Sequence, residues 1–153
     1  MSEDGAGRTW PDLAGRIEGR RHVLPVRVYF EDTDFSGLVY HGSYVRWCER
    51  GRSDYLRLLG LSHRDLIGAD GGGEPAAFVV RRLALDFLKP ARIDDVLEVV
   101  TTCSAVTAAT LDLRQVIGRD DTEICAAQVL VVLVGQSGKP LRMPERLRTA
   151  FGG

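Results

Sequence analysis

The sequence is poor in the features that mark exported or membrane-spanning proteins. It has three cysteines, an odd number with no close pair, so neither a disulfide framework nor a zinc knuckle is indicated. Its first residues contain no apolar run that resembles a secretory signal. The mean hydropathy of -0.07 leaves too little apolar length for a membrane span. We therefore expect a soluble, cytoplasmic protein.

An excess of charge of either sign is also absent. The formal net charge is -1, so long-range attraction to nucleic acid or to an anionic membrane is not predicted. A length of 153 residues is typical of one domain. Residues 1–22 contain four glycines and balanced charges, which predicts a flexible N-terminal tail followed by a domain at 23–153. A short amphipathic helix is the alternative for part of the tail, because Trp10, Leu13, Ala14 and Ile17 have helical spacing.

The pattern of the remaining chain predicts an α+β fold. Residues 23–30 are β-branched and aromatic, as in a strand, and residues 31–42 have loop composition. Ser43 stands where a helix cap is expected, and apolar residues then recur at helical spacing as far as Gly60. A shorter helix at 62–67 and a glycine-rich connection follow. From 76 to 134 the period changes to that of strands, in four segments without a crossover helix, which predicts an antiparallel sheet.

The loop at 31–42 holds the densest set of reactive side chains: Glu31, Asp32, Asp34, Ser36, Tyr40 and His41. A carboxylate just before a helix is kept ionised by the helix dipole, and the free N–H groups of the first turn can bind a developing oxyanion. This combination suits acyl transfer. From spacing alone, bracing of the turn by Asp32 and Asp34 through Asx-type hydrogen bonds is favoured over catalysis.

Two stretches of the chain resemble a known family. They are VRVYFEDTDFSGLVYHGSYVRWCERGRSDYLRLLG and, at 78–95, FVVRRLALDFLKPARIDD. Both are similar to the hotdog-fold 4-hydroxybenzoyl-CoA thioesterase superfamily, and in particular to its YbgC-type, Tol-Pal-associated acyl-CoA thioesterases. The resemblance implies a single hotdog domain, in which an antiparallel sheet of about five strands wraps one long central helix. It also implies a homodimer or homotetramer that hydrolyses thioesters of coenzyme A or of acyl carrier protein.

The same resemblance assigns roles to the loop residues. Asp34 matches the catalytic carboxylate of the family, acting as nucleophile or as general base, and His41 matches its histidine. The backbone N–H groups at the helix start would polarise the thioester carbonyl, and no metal or redox cofactor is needed. Substrate contacts are expected from Phe30, Val39, Tyr40 and Gly42. Many family members have tyrosine at the position of Phe30, and the bulk of Phe35 and Ser36 favours shorter acyl groups.

Weaker candidates lie outside the loop. Glu49 stands where a related hotdog lineage places a catalytic acid, although an ion pair with Arg46, Arg50 or Arg52 explains it as well. Arg81 and Arg82, with Lys89 and Arg92, are candidates for binding the phosphates of coenzyme A, or are simply solvated strand ends.

The remaining candidates are expected to be structural. Cys48 lies on the apolar face of the helix and is expected to be a buried thiol. His22 and His63 show no metal-ligand spacing and are expected at the surface.

Two other functions are compatible with the sequence. One is a protein that binds acyl-CoA without turnover. The other is a hotdog enoyl-CoA hydratase, but that family sets its aspartate and histidine five residues apart, with an Asn-Pro between them. Here Asp34 and His41 are seven apart and the Asn-Pro is absent.

Overall fold

The structure is a computed structural model that describes residues 13–61 and 75–152. Within these residues, six strands form one antiparallel sheet in the order β1-β2-β4-β5-β6-β3. The sheet therefore has one strand more than the five predicted. The strands are β1 (Arg16–Glu18), β2 (Arg21–Arg27), β3 (Ala76–Phe87), β4 (Val96–Val106), β5 (Thr110–Arg119) and β6 (Thr122–Gly135).

The long helix α1 (His41–Leu58) packs against the inner face of this sheet, and a short helix α2 (Glu145–Ala150) lies near the C-terminus. The apolar residues of α1 recur every three or four positions, and they form the core with alternate residues of the strands. Helix α1 approaches strand β4 closely at Gly51, because a Cβ there would lie 3.0 Å from the side chain of Val99 on β4. One long helix on an antiparallel sheet confirms the predicted α+β fold.

The four predicted strands after residue 75 are confirmed as β3 to β6. Lys89 and Pro90 separate β3 from β4, and Asp120, which has a φ of 54°, lies in the tight turn between β5 and β6. Such turns depend on residues that are adjacent in the sequence, so the sequence pattern predicts their positions. The predicted helix at 62–67 and the residues up to 74 lie outside the described residues.

The N-terminal part differs from the prediction. Residues 16–18 form β1, so the sheet begins inside the segment predicted as a tail, and the alternative of a helix through Ile17 is wrong. His22 is on β2 and is fully buried, so its predicted surface position is also wrong. It faces the core because inward-pointing residues alternate along β2, and it has a polar partner there in Asp54.

The start of α1 also differs. Strand β2 ends at Arg27, and Phe30 lies in a 3-10 turn (Phe30–Asp32) rather than in a strand. The helix begins at His41, two residues before the predicted cap, and Ser43 lies inside its first turn. The Ser43 hydroxyl donates to the carbonyl oxygen of Asp32 at 3.0 Å, so it ties the preceding loop to the helix instead of capping it.

Candidate active site

The loop between β2 and α1 is fixed by Asp32, one of the two aspartates of the EDTD motif. Asp32 is buried, with a relative exposure of 6%. Its Oδ2 accepts the Tyr29 N–H at 2.8 Å, and its carbonyl oxygen accepts the Tyr40 N–H at 2.9 Å. The guanidinium of Arg46 on α1 lies 3.5 Å from its Oδ1. Asp32 therefore connects the end of β2 with the start of α1, which is the bracing role that spacing alone allowed.

Asp34 lies at the beginning of a tight turn and is exposed to solvent. Its carbonyl oxygen accepts the Gly37 N–H at 3.0 Å, and Gly37 has a φ of 83°, which favours glycine. Its N–H donates to the carbonyl oxygen of Leu38 at 3.0 Å, which closes a narrow hairpin. This hairpin turns the chain back towards α1 and leaves the carboxylate of Asp34 accessible.

The carboxylate of Asp34 is ionised more readily than an ordinary aspartate. Hydrogen bonds from the Ser36 hydroxyl and the Ser36 N–H lower the pKa of Asp34 below its usual value, and the charge of His41 adds to this effect. The sequence prediction singled out Asp34 and treated Ser36 only as bulk beside the acyl group, not as a partner of the carboxylate. The signal was present, since a serine two residues after an aspartate has the spacing of an Asx turn.

The first turn of α1 presents the backbone donors of His41 and Gly42, whereas the Ser43 N–H donates to the carbonyl oxygen of Tyr40 at 2.9 Å. The first N–H groups of a helix have no partner inside it, and Tyr40 at the cap position provides no side-chain hydrogen bond. Gly42 brings the ring of Tyr40 close to the backbone, because a Cβ at residue 42 would lie 2.7 Å from that ring. The ring of His41 lies 4.3 Å from that of Tyr40, and both residues are exposed.

Two open grooves adjoin this point. The first surrounds Asp34 and is lined by Phe30, Phe35 and Ile93 among others. The second is lined by His41 together with Val39, with Phe87 at the end of β3 and with residues just after it, including Lys89. The structure thus brings Asp34, His41, Phe30, Val39, Tyr40 and Gly42 to one end of α1.

Glu49 lies away from the start of α1. It is exposed on α1, eight residues after His41, which corresponds to about 12 Å along the helix. It lines a separate cleft with Arg52, Tyr55, Phe78 and Phe151. Its carboxylate accepts a hydrogen bond from the Ser53 hydroxyl at 2.7 Å, and no described residue forms an ion pair with it.

Arg81 and Arg82 are exposed on β3, at the edge of the sheet, beside a register shift in its pairing with β6. Lys89 lines the groove of His41. Arg92 pairs through its backbone with Leu38, in the hairpin of Asp34. Of the four basic candidates, Lys89 and Arg92 are therefore the two that adjoin the loop.

The expectation for Cys48 is confirmed. It is fully buried, and burial raises the pKa of its thiol to about 11. Among residues 13–61 and 75–152, no three His, Cys, Asp or Glu side chains are grouped closely enough to hold a metal ion. No helix in these ranges has the length and apolar character needed to cross a membrane.

Comparisons with known proteins identify the family. The family model described as "Thioesterase superfamily" matches residues 36–126. The acyl-CoA thioesterase YbgC of Haemophilus influenzae is 39% identical over 129 residues, covering 84% of this chain and 92% of the relative. The acyl-CoA thioester hydrolase YbgC of Escherichia coli is 41% identical over 129 residues, covering 83% of this chain and 92% of the relative.

A solved structure also identifies a thioesterase as similar to this chain. The probable thioesterase from Bartonella henselae superposes with a TM-score of 0.77 at 39% identity, covering 81% of this chain and 99% of that one. The relatives, the family model and the fold therefore agree on the family, and the family model begins at residue 36, after the EDTD motif. This chain belongs to the thioesterase superfamily, with the hotdog fold.

Proposed function

We propose that this protein hydrolyses acyl-CoA thioesters, with Asp34 as the catalytic carboxylate. The observation that carries the proposal is an exposed, ionised aspartate in the hairpin that leads into the first turn of α1, where no side chain caps the helix. The relatives named acyl-CoA thioesterase and acyl-CoA thioester hydrolase support the choice of substrate. An acyl carrier protein thioester presents the same reacting group.

The reaction follows from these groups. Asp34 either attacks the thioester carbonyl to form a mixed anhydride, which water then hydrolyses, or removes a proton from the water that attacks. In both routes the carbonyl oxygen becomes negative in the transition state, and the N–H groups of His41 and Gly42 stabilise it. The carbon–sulfur bond breaks, and the products are a carboxylic acid and a free thiol. A thiolate leaves readily because thiols have pKa values of about 8.5.

The other site residues have supporting roles in this proposal. Phe30, Val39 and Tyr40 contact the acyl group or the pantetheine arm. The basic side chains of Lys89 and Arg92, and more distantly Arg81 and Arg82, bind the phosphates of coenzyme A. Glu49 is the least favoured catalytic candidate, because it lines another cleft of the same chain.

We also propose that the functional unit is a homodimer or homotetramer. Strand β3 is a long edge strand, and several apolar side chains on it and just after it are exposed, namely Val79, Val80, Phe87 and Leu88. An open, apolar edge strand favours pairing with another strand. Sedimentation should give at least twice 16.8 kDa for the native chain, and Val80→Lys should shift it towards the monomer. A native monomer at micromolar concentration would contradict this.

Cytoplasmic location and association with Tol-Pal remain predictions from the sequence.

The decisive experiment measures thiol release from a series of acyl-CoA esters. Asp34→Asn should lower kcat/KM by about 10²-fold or more, because it removes a group that takes part in the chemical step. Asp121→Asn is the matched control, since Asp121 is an exposed aspartate in the turn between β5 and β6. Glu49→Gln should have a much smaller effect than Asp34→Asn.

Each alternative predicts a different result. Undiminished turnover in Asp34→Asn would show that another group performs the chemistry. Binding of acyl-CoA by the native chain without thiol release would identify a binding protein. Loss of enoyl absorbance without thiol release would identify a hydratase.

A further inference from the structure

Ser36 makes two hydrogen bonds to the same oxygen of Asp34. Its N–H donates to Oδ1 at 2.8 Å, and its hydroxyl also donates to Oδ1. The hydroxyl oxygen in turn lies within hydrogen-bond distance of the Leu38 N–H, at 3.3 Å. Ser36 therefore links the carboxylate of Asp34 to both sides of the hairpin.

The two oxygens of Asp34 are consequently not equivalent. Oδ1 accepts two donors, whereas Oδ2 accepts none from the described residues. An exposed aspartate would otherwise rotate freely about its side-chain torsions. Two donors on one oxygen restrict the carboxylate to one orientation and leave Oδ2 available to a substrate or a water molecule.

We propose that Ser36 is a positioning residue for the thioesterase reaction, whose hydroxyl orients the carboxylate of Asp34 so that Oδ2 is the reactive oxygen. This inference rests on the proposed function of Asp34. It goes further by assigning different roles to the two oxygens and by identifying the side chain that distinguishes them.

The charges around Asp34 are consistent with this role. The main effect on its pKa is the hydrogen bond from the Ser36 hydroxyl, followed by that from the Ser36 N–H, and both lower it. His41 at the start of α1 also lowers it, and Glu31 lines the same groove. Loss of the hydroxyl should therefore raise the pKa of Asp34, so that the acid limb of the activity profile moves to higher pH.

Two substitutions separate the effect of the Ser36 hydroxyl from the effect of the Ser36 backbone N–H. Ser36→Ala removes the hydroxyl but keeps the N–H that closes the Asx turn. Ser36→Thr keeps both donors. A purely structural role of the hydroxyl in the turn, through the Leu38 N–H, predicts that Ser36→Ala loses stability while kcat and the pKa of Asp34 stay native. The positioning role predicts a lower kcat and a higher Asp34 pKa in Ser36→Ala, and native values of both in Ser36→Thr, which keeps the hydroxyl.

The experiment compares the pH dependence of kcat/KM for the native chain, Ser36→Ala and Ser36→Thr with one acyl-CoA ester. We expect Ser36→Ala to lose roughly five- to tenfold in kcat with little change in KM, which is less than the ~10²-fold that a 1 Å misplacement costs. Its acid limb should move upward, and Ser36→Thr should retain the native profile. Native kcat and an unmoved acid limb in Ser36→Ala would refute the proposal.

A second measurement does not depend on catalysis. Carbon NMR of the Asp34 carboxyl group, assigned with Asp34→Asn, gives its pKa in each variant. We expect a higher pKa in Ser36→Ala than in the native chain, and an unchanged pKa would overturn the inference even if Asp34 proves catalytic. If the native chain shows no Asp34-dependent hydrolysis, the proposed function fails and the positioning role falls with it, while the titration still reports whether the hydrogen bonds exist. Ser36→Gly provides a second variant without the hydroxyl if Ser36→Ala does not fold.

Discussion

An aspartate and a histidine lie near each end of helix α1, and the two sets have different environments. Towards its C-terminus, Asp54 meets His22 of β2, with Asp54 Oδ2 and His22 Nε2 2.6 Å apart. His22 is fully buried and Asp54 is 9% exposed. At the N-terminus, Asp34 and His41 are both exposed. The same two side-chain types thus occur once inside the protein and once on its surface.

The difference lies in how the carboxylates are satisfied. Both oxygens of Asp54 are engaged, because Oδ2 also accepts the Gly15 N–H at 2.8 Å and Oδ1 accepts a hydrogen bond from Arg57. Asp34 has one oxygen engaged and one available. A buried charge persists only where it is paired and hydrogen-bonded, so Asp54 is suited to hold the chain together. A carboxylate with a free, accessible oxygen is suited to chemistry.

Replacing each of the two aspartates by alanine in a separate variant tests most directly whether Asp54 is structural and Asp34 catalytic. Asp54→Ala should reduce the free energy of unfolding by about 2–4 kcal/mol, because it leaves His22 and the Gly15 N–H buried without partners. It should leave kcat/KM of the folded protein within about twofold, since such effects on activity arise near the chemistry.

Asp34→Ala should lower activity and leave stability nearly unchanged. We expect a loss of about 10²-fold or more in kcat/KM and a change of less than about 1 kcal/mol in stability. Chemical denaturation and thiol release measure the two quantities separately. Similar profiles for the two variants would contradict the division between a structural and a catalytic pair.

The dependence of stability on pH sharpens the comparison. Burial opposes ionisation of Asp54, but hydrogen bonds from His22, Gly15 and Arg57 outweigh it and hold its pKa below the usual value. The folded state therefore favours the ionised form, and the stabilisation is fully present above the unfolded pKa of about 3.9. It should be lost as the pH falls through the folded pKa.

Denaturation of the native chain and Asp54→Ala between pH 7 and pH 3 tests this. The difference in unfolding free energy should be constant near neutral pH and should shrink in acid. A difference that grows in acid would show that the sign is wrong.

Gly42→Ala tests the open end of α1 without removing a charge. A Cβ at this position would lie 2.7 Å from the Tyr40 ring, so the ring must move. Alanine is a better helix former than glycine by about 0.8–1 kcal/mol, so stability should not fall. We expect kcat/KM to decrease roughly tenfold, since a displaced ring and an added methyl group crowd the proposed oxyanion donors. Unchanged kinetics would argue against substrate binding at this turn.

The smallest effect is expected from Phe35→Ala. Phe35 is fully exposed and lines the groove of Asp34, so its loss should not affect folding. Removing its bulk should relax a preference for short acyl groups by a few-fold, which is less than the ~10–200-fold that an enclosed hydrophobic pocket achieves per methylene, because Phe35 lies in an open groove. A series of acyl-CoA esters of increasing length measures this. A native preference for long acyl groups would contradict the premise.

The sequence predicted those parts of the fold that depend on local patterns. The strands after residue 75, the turns between them and the apolar face of α1 follow from alternation, helical spacing and turn residues. The pairing of β1 with β2 and the burial of His22 were missed. His22 is satisfied by Asp54, 32 residues away, and no local pattern reports a partner at that distance. Ser43 was misassigned as a cap for a similar reason, because its hydroxyl binds the Asp32 carbonyl oxygen.

The candidate site was predicted mainly through resemblance. The EDTD motif and the residues up to Gly42 were grouped as one candidate site, and the structure places them near the start of α1, while their catalytic roles stay a prediction. The spacing of the sequence did not separate Asp32 from Asp34, and only the resemblance selected Asp34; in the structure burial distinguishes the two. Nor did it show that Glu49 faces another cleft of the same chain, because a helix only defines which residues share a face.

The bare first turn of α1 has a consequence for ligand binding. A capping side chain usually contributes about 1 kcal/mol to a helix, and Tyr40 does not provide one. An oxygen atom of a bound acid or thioester would supply the missing acceptor, and any ligand that binds only the folded state raises the melting temperature. The protein should therefore become more heat-resistant when its reaction product is present, which makes a thermal-shift screen of carboxylic acids a means of identifying the acyl group it prefers.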